Sequence, residues 1–234
     1  MKLFWTAIML TFLSLPALAA APAPFSAEYE VLRNGSRLGE ATIRFSALGG
    51  GRYQLQTTTT GTEGLAALTG AHVEERSILS WRGSQAETVN YDYVQKLGWK
   101  TRERHVRVDA GSKSIDNQDK DRHYAPPYRP GVLDRHALTV ALMQDAALGK
   151  TGDQIYLVPD KEQLAPWRYR IDTISTMQTA LGPQRAQRVD RIRDDASGRK
   201  TTLWLAADRG FVPLRMLQTE DNGESIEMRI VSLH

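Results

Sequence analysis

Short segments in which apolar and polar residues alternate recur along most of this chain, and turns containing glycine separate them. The first pair runs from Ala27 to Phe45, with apolar side chains at about every second position on both sides of Asn34-Gly35. Such alternation buries one face of a β-strand, and Asn-Gly favours a tight hairpin. The same pattern predicts further strands at 53–60, 72–81, 86–94, 99–108, 114–115, 154–158, 167–177, 186–192, 201–206, 211–218 and 225–233.

One segment has a helical pattern. From Val132 to Leu148 apolar residues cover several helical faces, and Gly149 provides a stop. Asp116 to Pro130 before it is charged and rich in proline, which predicts an irregular connection. Short strands tied by tight turns favour an antiparallel meander. The predicted fold is mainly β, a curved sheet or partly open β-barrel with one main buried helix at about 132–148.

The amino terminus has the pattern of a secretory signal peptide. Met1-Lys2 is followed by an apolar run from Leu3 to Leu15 and then by small residues, which predicts cleavage after Ala19, with Ala21 as the second option. Residues 20–24 would be a flexible tether and residues 25–234 a single β-rich domain. We expect a soluble, periplasmic protein that has no lipid anchor, because no cysteine follows the signal, and no transmembrane segment in the mature chain.

Composition narrows the function classes. The chain contains no cysteine, so its core must hold without disulfides. Its 30 basic and 27 acidic residues give a net charge of +3, but the charges are interspersed, which argues against a nucleic-acid partner.

Motifs that carry catalysis or bind metals are not apparent in the sequence. The five histidines are scattered, and His123 and His136 read as a solvated and a packed side chain. The stretch Asp116 to Asp121 lacks the glycine and glutamate of a calcium loop and reads as a solvated turn. No serine-hydrolase elbow, Walker loop or dinucleotide fingerprint follows a strand. The sequence therefore predicts no catalytic residue, no metal and no cofactor, and favours a protein that is not an enzyme.

Large aromatic residues in the strand windows, together with the helix, are the candidates for a ligand cavity. Most such aromatics belong to cores, but Trp and Tyr also line apolar sites. The candidate ligand-binding residues are Trp81, Tyr91, Trp99, Leu138, Leu142, Trp167 and Trp204.

Three segments resemble a known family. These are Leu133 to Leu138, Ala180 to Pro183, and the run from Leu203 through the Asp208-Arg209-Gly210 turn to Arg215. They are similar to the bacterial exported family called domain of unknown function 3108, over most of the chain from about Phe25. That family implies no activity to transfer. The order of strands, helix and strands is also similar in architecture to the periplasmic lipoprotein carriers, whose half-open barrel shelters acyl chains.

Three functions follow as hypotheses. The first is a non-enzymatic envelope protein that holds a lipid or other apolar ligand in a curved-sheet cavity. The second is a module that binds another envelope protein through an exposed strand edge or the loop Asp116 to Pro130. The third is a hydrolase of cell-wall material whose site is assembled only by the fold.

Overall fold

A computed structural model describes residues 21–83, 85–194 and 197–234. The predicted signal peptide and most of its cleavage region lie outside these residues. Fourteen strands and two helices follow one another along the described chain. Their bounds are β1 Phe25–Arg33, β2 Ser36–Gly49, β3 Arg52–Gly61, α1 Gly64–Leu68, β4 His72–Arg82, β5 Gln85–Leu97, β6 Lys100–Asp109, β7 Ser114–Asp119, β8 Arg122–Tyr124, α2 Leu138–Ala147, β9 Gly152–Asp160, β10 Gln163–Thr179, β11 Gly182–Ile192, β12 Lys200–Ala206, β13 Pro213–Thr219 and β14 Ser225–Leu233.

The strands form one antiparallel sheet in the order β8-β7-β6-β5-β4-β3-β2-β1-β14-β13-β12-β11-β10-β9. Nearly every neighbour in space is a neighbour in sequence, as in a meander. The exception is β1, which pairs with β14 through a register that includes Tyr29 opposite Ile230. The sheet is not closed, since β8 and β9 end it. The predicted fold class, a mainly β meander in a partly open barrel, is confirmed.

A two-residue segment just before α2 is hydrogen-bonded to two strands that do not pair with each other in the sheet. The Thr88 amide of β5 donates to the Val132 carbonyl at 3.0 Å, and the Leu133 amide donates to the Leu157 carbonyl of β9 at 3.0 Å. We call Val132 and Leu133 the seam segment. It links strands that the sheet itself leaves apart, at the point where α2 is about to begin.

Helix α2 is shorter than predicted. The sequence pattern places its start at Val132, whereas the helix begins at Leu138. The reason is the seam segment, whose backbone groups bond to strands and are therefore not available for a helix. The helix itself is buried as predicted, with Val140, Leu142 and Met143 each at most 1% exposed.

The apolar core lies between α2 and the concave face of the sheet. It includes Tyr29, Phe45, Leu55 and Leu205, all at most 2% exposed. A smaller cluster of Tyr91, Val106, Val108, Ile115 and Val132 lies under the β6 to β8 end of the sheet.

One connection differs from the sequence prediction. Part of the segment predicted as irregular, Asp116 to Pro130, completes β7 and forms β8, with a turn at Lys120 where φ is 56°. The strand predicted at 99–108 forms β6, an interior strand paired with β5 and β7, although most of its side chains are polar. Charged cross-strand pairs such as Arg104 and Asp119 satisfy its side chains.

Candidate functional site

The buried carboxylate of Asp134 links the turn before α2 to the sheet through hydrogen bonds. Asp134 Oδ1 accepts hydrogen bonds from Ser77 Oγ and from the amides of His136 and Ala137, each at 2.9 Å. Its Oδ2 accepts from Thr88 Oγ1 at 2.8 Å, and Thr88 in turn accepts from the Asp134 amide. The carboxylate thereby satisfies two free amides at the start of a helical turn, as capping side chains do.

The donor and the acceptor of each hydrogen bond in this network can be assigned. An ionised Asp134 only accepts, so Ser77 donates to it, and the Ser77 oxygen is left to accept Nδ1–H of His136 at 2.9 Å. The His136 Nε2 atom then accepts from Thr57 Oγ1 at 2.8 Å. Burial lowers the pKa of His136 to about 3, so the imidazole is neutral, as this assignment requires. Burial raises the pKa of Asp134, and its four hydrogen bonds oppose that rise.

The network ends on a cavity wall. Thr57 and His136 both border a cavity of about 660 Å³ between α2 and the concave face of the sheet. We call it the inner cavity. Most of its wall is apolar, and the apolar residues come from both halves of the chain. They are Ile43, Leu55, Leu138, Leu142, Trp167, Leu203, Met216 and Met228.

Charged residues also line the inner cavity. Its lining includes four arginines, Arg135, Arg191, Arg193 and Arg199, and one carboxylate, Glu75. Three of these arginines contact side chains that restrain their position. The Arg191 guanidinium carbon lies 3.3 Å from the centre of the Trp167 ring, and Arg193 donates to Thr201 Oγ1 at 3.2 Å. Arg199 is paired with Glu220 at 2.7 Å.

Glu75 is the titratable group of this wall. Burial raises the pKa of Glu75 to about 7, although the positive charge of Arg135 opposes the rise. Tyr91 Oη donates to Glu75 Oε1 at 3.3 Å. Below neutral pH the carboxyl is therefore largely protonated, and the wall then carries more net positive charge.

A second cavity of about 870 Å³ continues the first toward α1. We call it the end cavity. Gln218 borders both cavities. Along β3 the lining passes from Thr57 to Thr59, and along β14 from Met228 to Ile226, each a step of two residues on one strand face. The two cavities therefore follow one another along the concave face of the sheet.

The residues proposed from the sequence as ligand-binding fall into two groups. The inner cavity brings together Leu138, Leu142 and Trp167. The other four lie elsewhere. Trp81 packs on the core beside Tyr53, Tyr91 is buried in the smaller cluster, Trp99 is 92% exposed at the β5–β6 turn, and Trp204 lies under the Arg215 guanidinium at 4.6 Å.

Sequence reasoning missed the polar members of the site. The sequence places Asp134 only within the family motif Leu133 to Leu138, predicts a packed side chain at His136, and assigns no role to Arg191 and Arg193. A signal was present in Arg191-Ile192-Arg193, where two cations two residues apart share one strand face. Nothing in the sequence placed that face opposite Glu75.

The described residues contain neither a metal-binding cluster nor a membrane-spanning helix. No group of three or more His, Asp or Glu side chains there is arranged to hold a metal ion. In the same residues no helix has the length and hydrophobicity to cross a membrane.

Comparisons with known proteins come from families, curated sequences and solved structures. A family model described as protein of unknown function (DUF3108) matches residues 25–231. No curated protein matches the chain. A crystal structure from Brucella abortus, of a β-barrel-like protein of domain of unknown function DUF1849, is similar with a TM-score of 0.57 and 11% identity over 92% of this chain and 98% of that one. This likeness shows the fold alone.

Two other solved structures are less similar in fold, and nothing about this chain is inferred from them. A candidate lipoprotein from Parabacteroides distasonis gives a TM-score of 0.39 at 8% identity, over 93% of this chain and 98% of that one. A chain of the Pseudomonas aeruginosa MucA/MucB complex gives 0.30 at 15% identity, over 90% of this chain and 51% of that one.

Proposed function

The chain belongs to the family of proteins of unknown function DUF3108, which offers no activity to transfer, and we propose from its geometry that it binds an anionic amphiphile. The apolar chain of the ligand lies in the inner and end cavities, and the negatively charged head lies at the arginines. The observation that carries this proposal is a largely apolar inner cavity whose lining also includes four arginines.

The size and lining of the cavities support an apolar ligand. Their volumes of about 660 and 870 Å³ lie in the range of small-molecule sites. Trp167, Met216 and Met228 are only partly buried and present apolar surface from β10, β13 and β14. Each methylene that moves from water onto such a surface contributes about 0.8 kcal/mol. An acyl chain would therefore gain affinity from its length without any specific polar contact.

The arginines support a negatively charged head group. A guanidinium binds a carboxylate or phosphate through two parallel hydrogen bonds. The Arg191 guanidinium carbon lies 3.3 Å from the centre of the Trp167 ring, and this contact restrains the side chain before a ligand arrives. A head group held by a positioned donor loses less entropy on binding than one held by a mobile donor.

Export belongs to the same proposal. The predicted signal peptide would deliver the mature chain to the periplasm, an aqueous compartment between two membranes. An acyl chain has low solubility there, and a sheltered apolar cavity would keep it in solution. The protein would then be a soluble periplasmic carrier or sensor of amphiphiles, in line with the first of the three hypotheses.

The experiment is a binding titration on the delipidated mature protein with a fluorescent fatty acid and with the matching uncharged alcohol. Met216→Trp fills the inner cavity and is expected to weaken binding of both probes at least about 10-fold. Val231→Trp, on the exposed side of β14, is the size-matched control and should bind as the wild type does.

The head-group part is tested separately. Arg191→Gln should weaken binding of the fatty acid more than that of the alcohol. The control is Arg188→Gln on the same strand, where Arg188 lies 6.0 Å from Trp204 and not at the cavity. If neither probe binds the wild type, or if Met216→Trp binds both normally, the proposal is wrong.

A further inference from the structure

The most exposed apolar side chains of the described chain include a group at one end of the sheet. Leu65 and Leu68 of α1 are 78% and 83% exposed, and Leu97 and Trp99 of the β5–β6 turn are 48% and 92% exposed. We call these four residues the tip. A hydrogen bond of 2.9 Å from the Gly98 amide to the Thr69 carbonyl joins the turn to the end of α1.

This exposure has a cost in water. An exposed tryptophan leaves a large apolar ring hydrated, and grouped apolar side chains on a surface mark contacts with a partner or a membrane. Other exposed large apolar residues lie on separate strands, such as Ile155 on β9 and Ile174 on β10. The tip differs from them because its four residues come from α1 and the β5–β6 turn, which are hydrogen-bonded to each other.

Positive charge flanks the tip. Lys96 and Lys100 stand on either side of Leu97-Gly98-Trp99, and both are exposed. Acidic residues lie at the same end too. Glu63 comes just before α1, and Glu220 and Glu224 line the end cavity together with Arg33, Arg37 and His72. The β5–β6 turn therefore presents two exposed apolar side chains with an exposed lysine on either side of them.

We propose that the tip inserts into the interfacial region of an anionic lipid bilayer. Tryptophan is enriched at the depth of lipid head groups because its ring is apolar and its N–H is polar. Leucines at the same level would enter the boundary of the acyl chains. Lys96 and Lys100 would then lie in the plane of the negatively charged head groups, where each basic residue contributes about a 5-fold gain in affinity.

The tip also borders the end cavity. Leu65 and Leu97 belong both to the tip and to the lining of that cavity. Docking through the tip therefore places the cavity at the membrane surface. The inference concerns the membrane surface and is independent of the proposed ligand, because docking needs only the tip residues and the two lysines.

The test is co-sedimentation of the mature protein with vesicles of phosphatidylcholine, alone or mixed with phosphatidylglycerol. The wild type should bind the mixed vesicles, and brominated lipids should quench the fluorescence of Trp99. Trp99→Gln should lower the partition coefficient at least about 10-fold. Ile155→Ser, an exposed apolar residue away from the tip, is the control and should change nothing.

A second pair of variants tests the charge. Lys96→Gln and Lys100→Gln should each lower binding to the mixed vesicles about 5-fold. Lys113→Gln, in the β6–β7 turn at the other end of β6, should leave binding unchanged. Binding of the fluorescent fatty acid should stay normal in all tip variants, so that failure of docking is distinguished from failure of the ligand site.

Two results would overturn the inference. One is the absence of vesicle binding by the wild type at low salt. The other is a stable dimer in sedimentation velocity that Trp99→Gln converts to monomer, since the tip would then be a contact between two copies of the chain.

Discussion

Ser77 Oγ lies 2.9 Å from both Asp134 Oδ1 and His136 Nδ1, so a single hydroxyl on β4 joins the two buried polar side chains that precede α2. Ser77 is fully buried, and water does not reach it. The attachment of the helix to the sheet at this point is therefore polar, although the surrounding contact is apolar.

The first prediction concerns this hydroxyl. Ser77→Ala leaves an acceptor on Asp134 and the Nδ1–H of His136 without their partner, and we expect the free energy of unfolding to fall by about 1–3 kcal/mol. Urea denaturation followed by tryptophan fluorescence measures it. Ser232→Ala removes an exposed hydroxyl that bonds Glu28 and should cost much less. Equal losses in the two variants would contradict a special role for Ser77.

The second prediction concerns pH and Glu75. Its pKa is about 7 in the folded state, above its ordinary value of 4.5, so the folded state binds more protons in that window. The free energy of unfolding contributed by Glu75 therefore falls as pH rises from about 4.5 to about 7. Glu75→Gln should remove this decline in urea titrations across that range, while Glu74→Gln, on the exposed side of β4, should preserve it.

The contribution of His136 to stability changes with pH in the opposite direction to that of Glu75. Its pKa of about 3 lies below the ordinary 6.5, so its contribution to stability is complete above about pH 6.5 and is lost as pH falls toward 3. The two contributions oppose each other between about pH 4.5 and 6.5. An unchanged pH profile in Glu75→Gln would contradict the assignment of the raised pKa to this residue.

The third prediction joins pH to binding. Protonation of Glu75 removes the one carboxylate among the arginines of the inner cavity. Affinity for the fluorescent fatty acid should therefore increase as pH falls through about 7, and affinity for the uncharged alcohol should not. Glu75→Gln should bind the fatty acid equally well on both sides of that pH. A wild-type affinity that rises with pH would show that the head group lies elsewhere.

The fourth prediction separates binding from hydrolysis. Thr57 donates a hydrogen bond to the neutral imidazole of His136, and Ser77 links that imidazole to the carboxylate of Asp134. A base activates a hydroxyl nucleophile through a hydrogen bond in this direction. Because the proposed function breaks no bond, we expect ester ligands to be recovered intact by mass spectrometry. Hydrolysis by the wild type that disappears in Thr57→Val and persists in Thr59→Val would instead establish the hydrolase hypothesis.

The fifth prediction concerns the close approach of β2 and β3. A Cβ on Gly39 would meet the carbonyl oxygen of Thr60, a backbone atom that cannot turn aside. Gly39→Ala should lower the free energy of unfolding by about 1–3 kcal/mol, as overpacking does. Gly111→Ala, where the added carbon meets only the Asp109 carboxylate at 3.1 Å, is the control. A thermal melt compares the two.

The strands could be predicted because their signal is local. Alternation at Tyr29, Val31, Ala41, Ile43 and Phe45 identified the first hairpin, since every second side chain faces the core. The start of α2 could not be predicted this way. Val132 and Leu133 continue the apolar pattern of the helix, but their backbone groups bond Thr88 and Leu157, which lie far away in sequence.

The site was harder to predict than the strands because its residues, like the partners of Val132 and Leu133, are far apart in sequence. Thr57 and His136 are separated by 79 residues, and Ser77 and Asp134 by 57. No spacing rule joins such residues before the order of the strands is known. Leu138, Leu142 and Trp167 could be proposed because size and hydrophobicity are visible in any residue. That Glu75 and Arg191 line the same cavity is a property of the folded sheet.

The pairing of β1 with β14 makes the architecture dependent on both ends of this chain. A ribosome delivers Phe25–Arg33 first among the strands and Ser225–Leu233 last. Until the final strand emerges, β1 and β13 each expose a row of unpaired amides to any neighbouring polypeptide. Premature termination within the codons for Ser225–Leu233 would therefore leave an aggregation-prone intermediate rather than a slightly shortened protein.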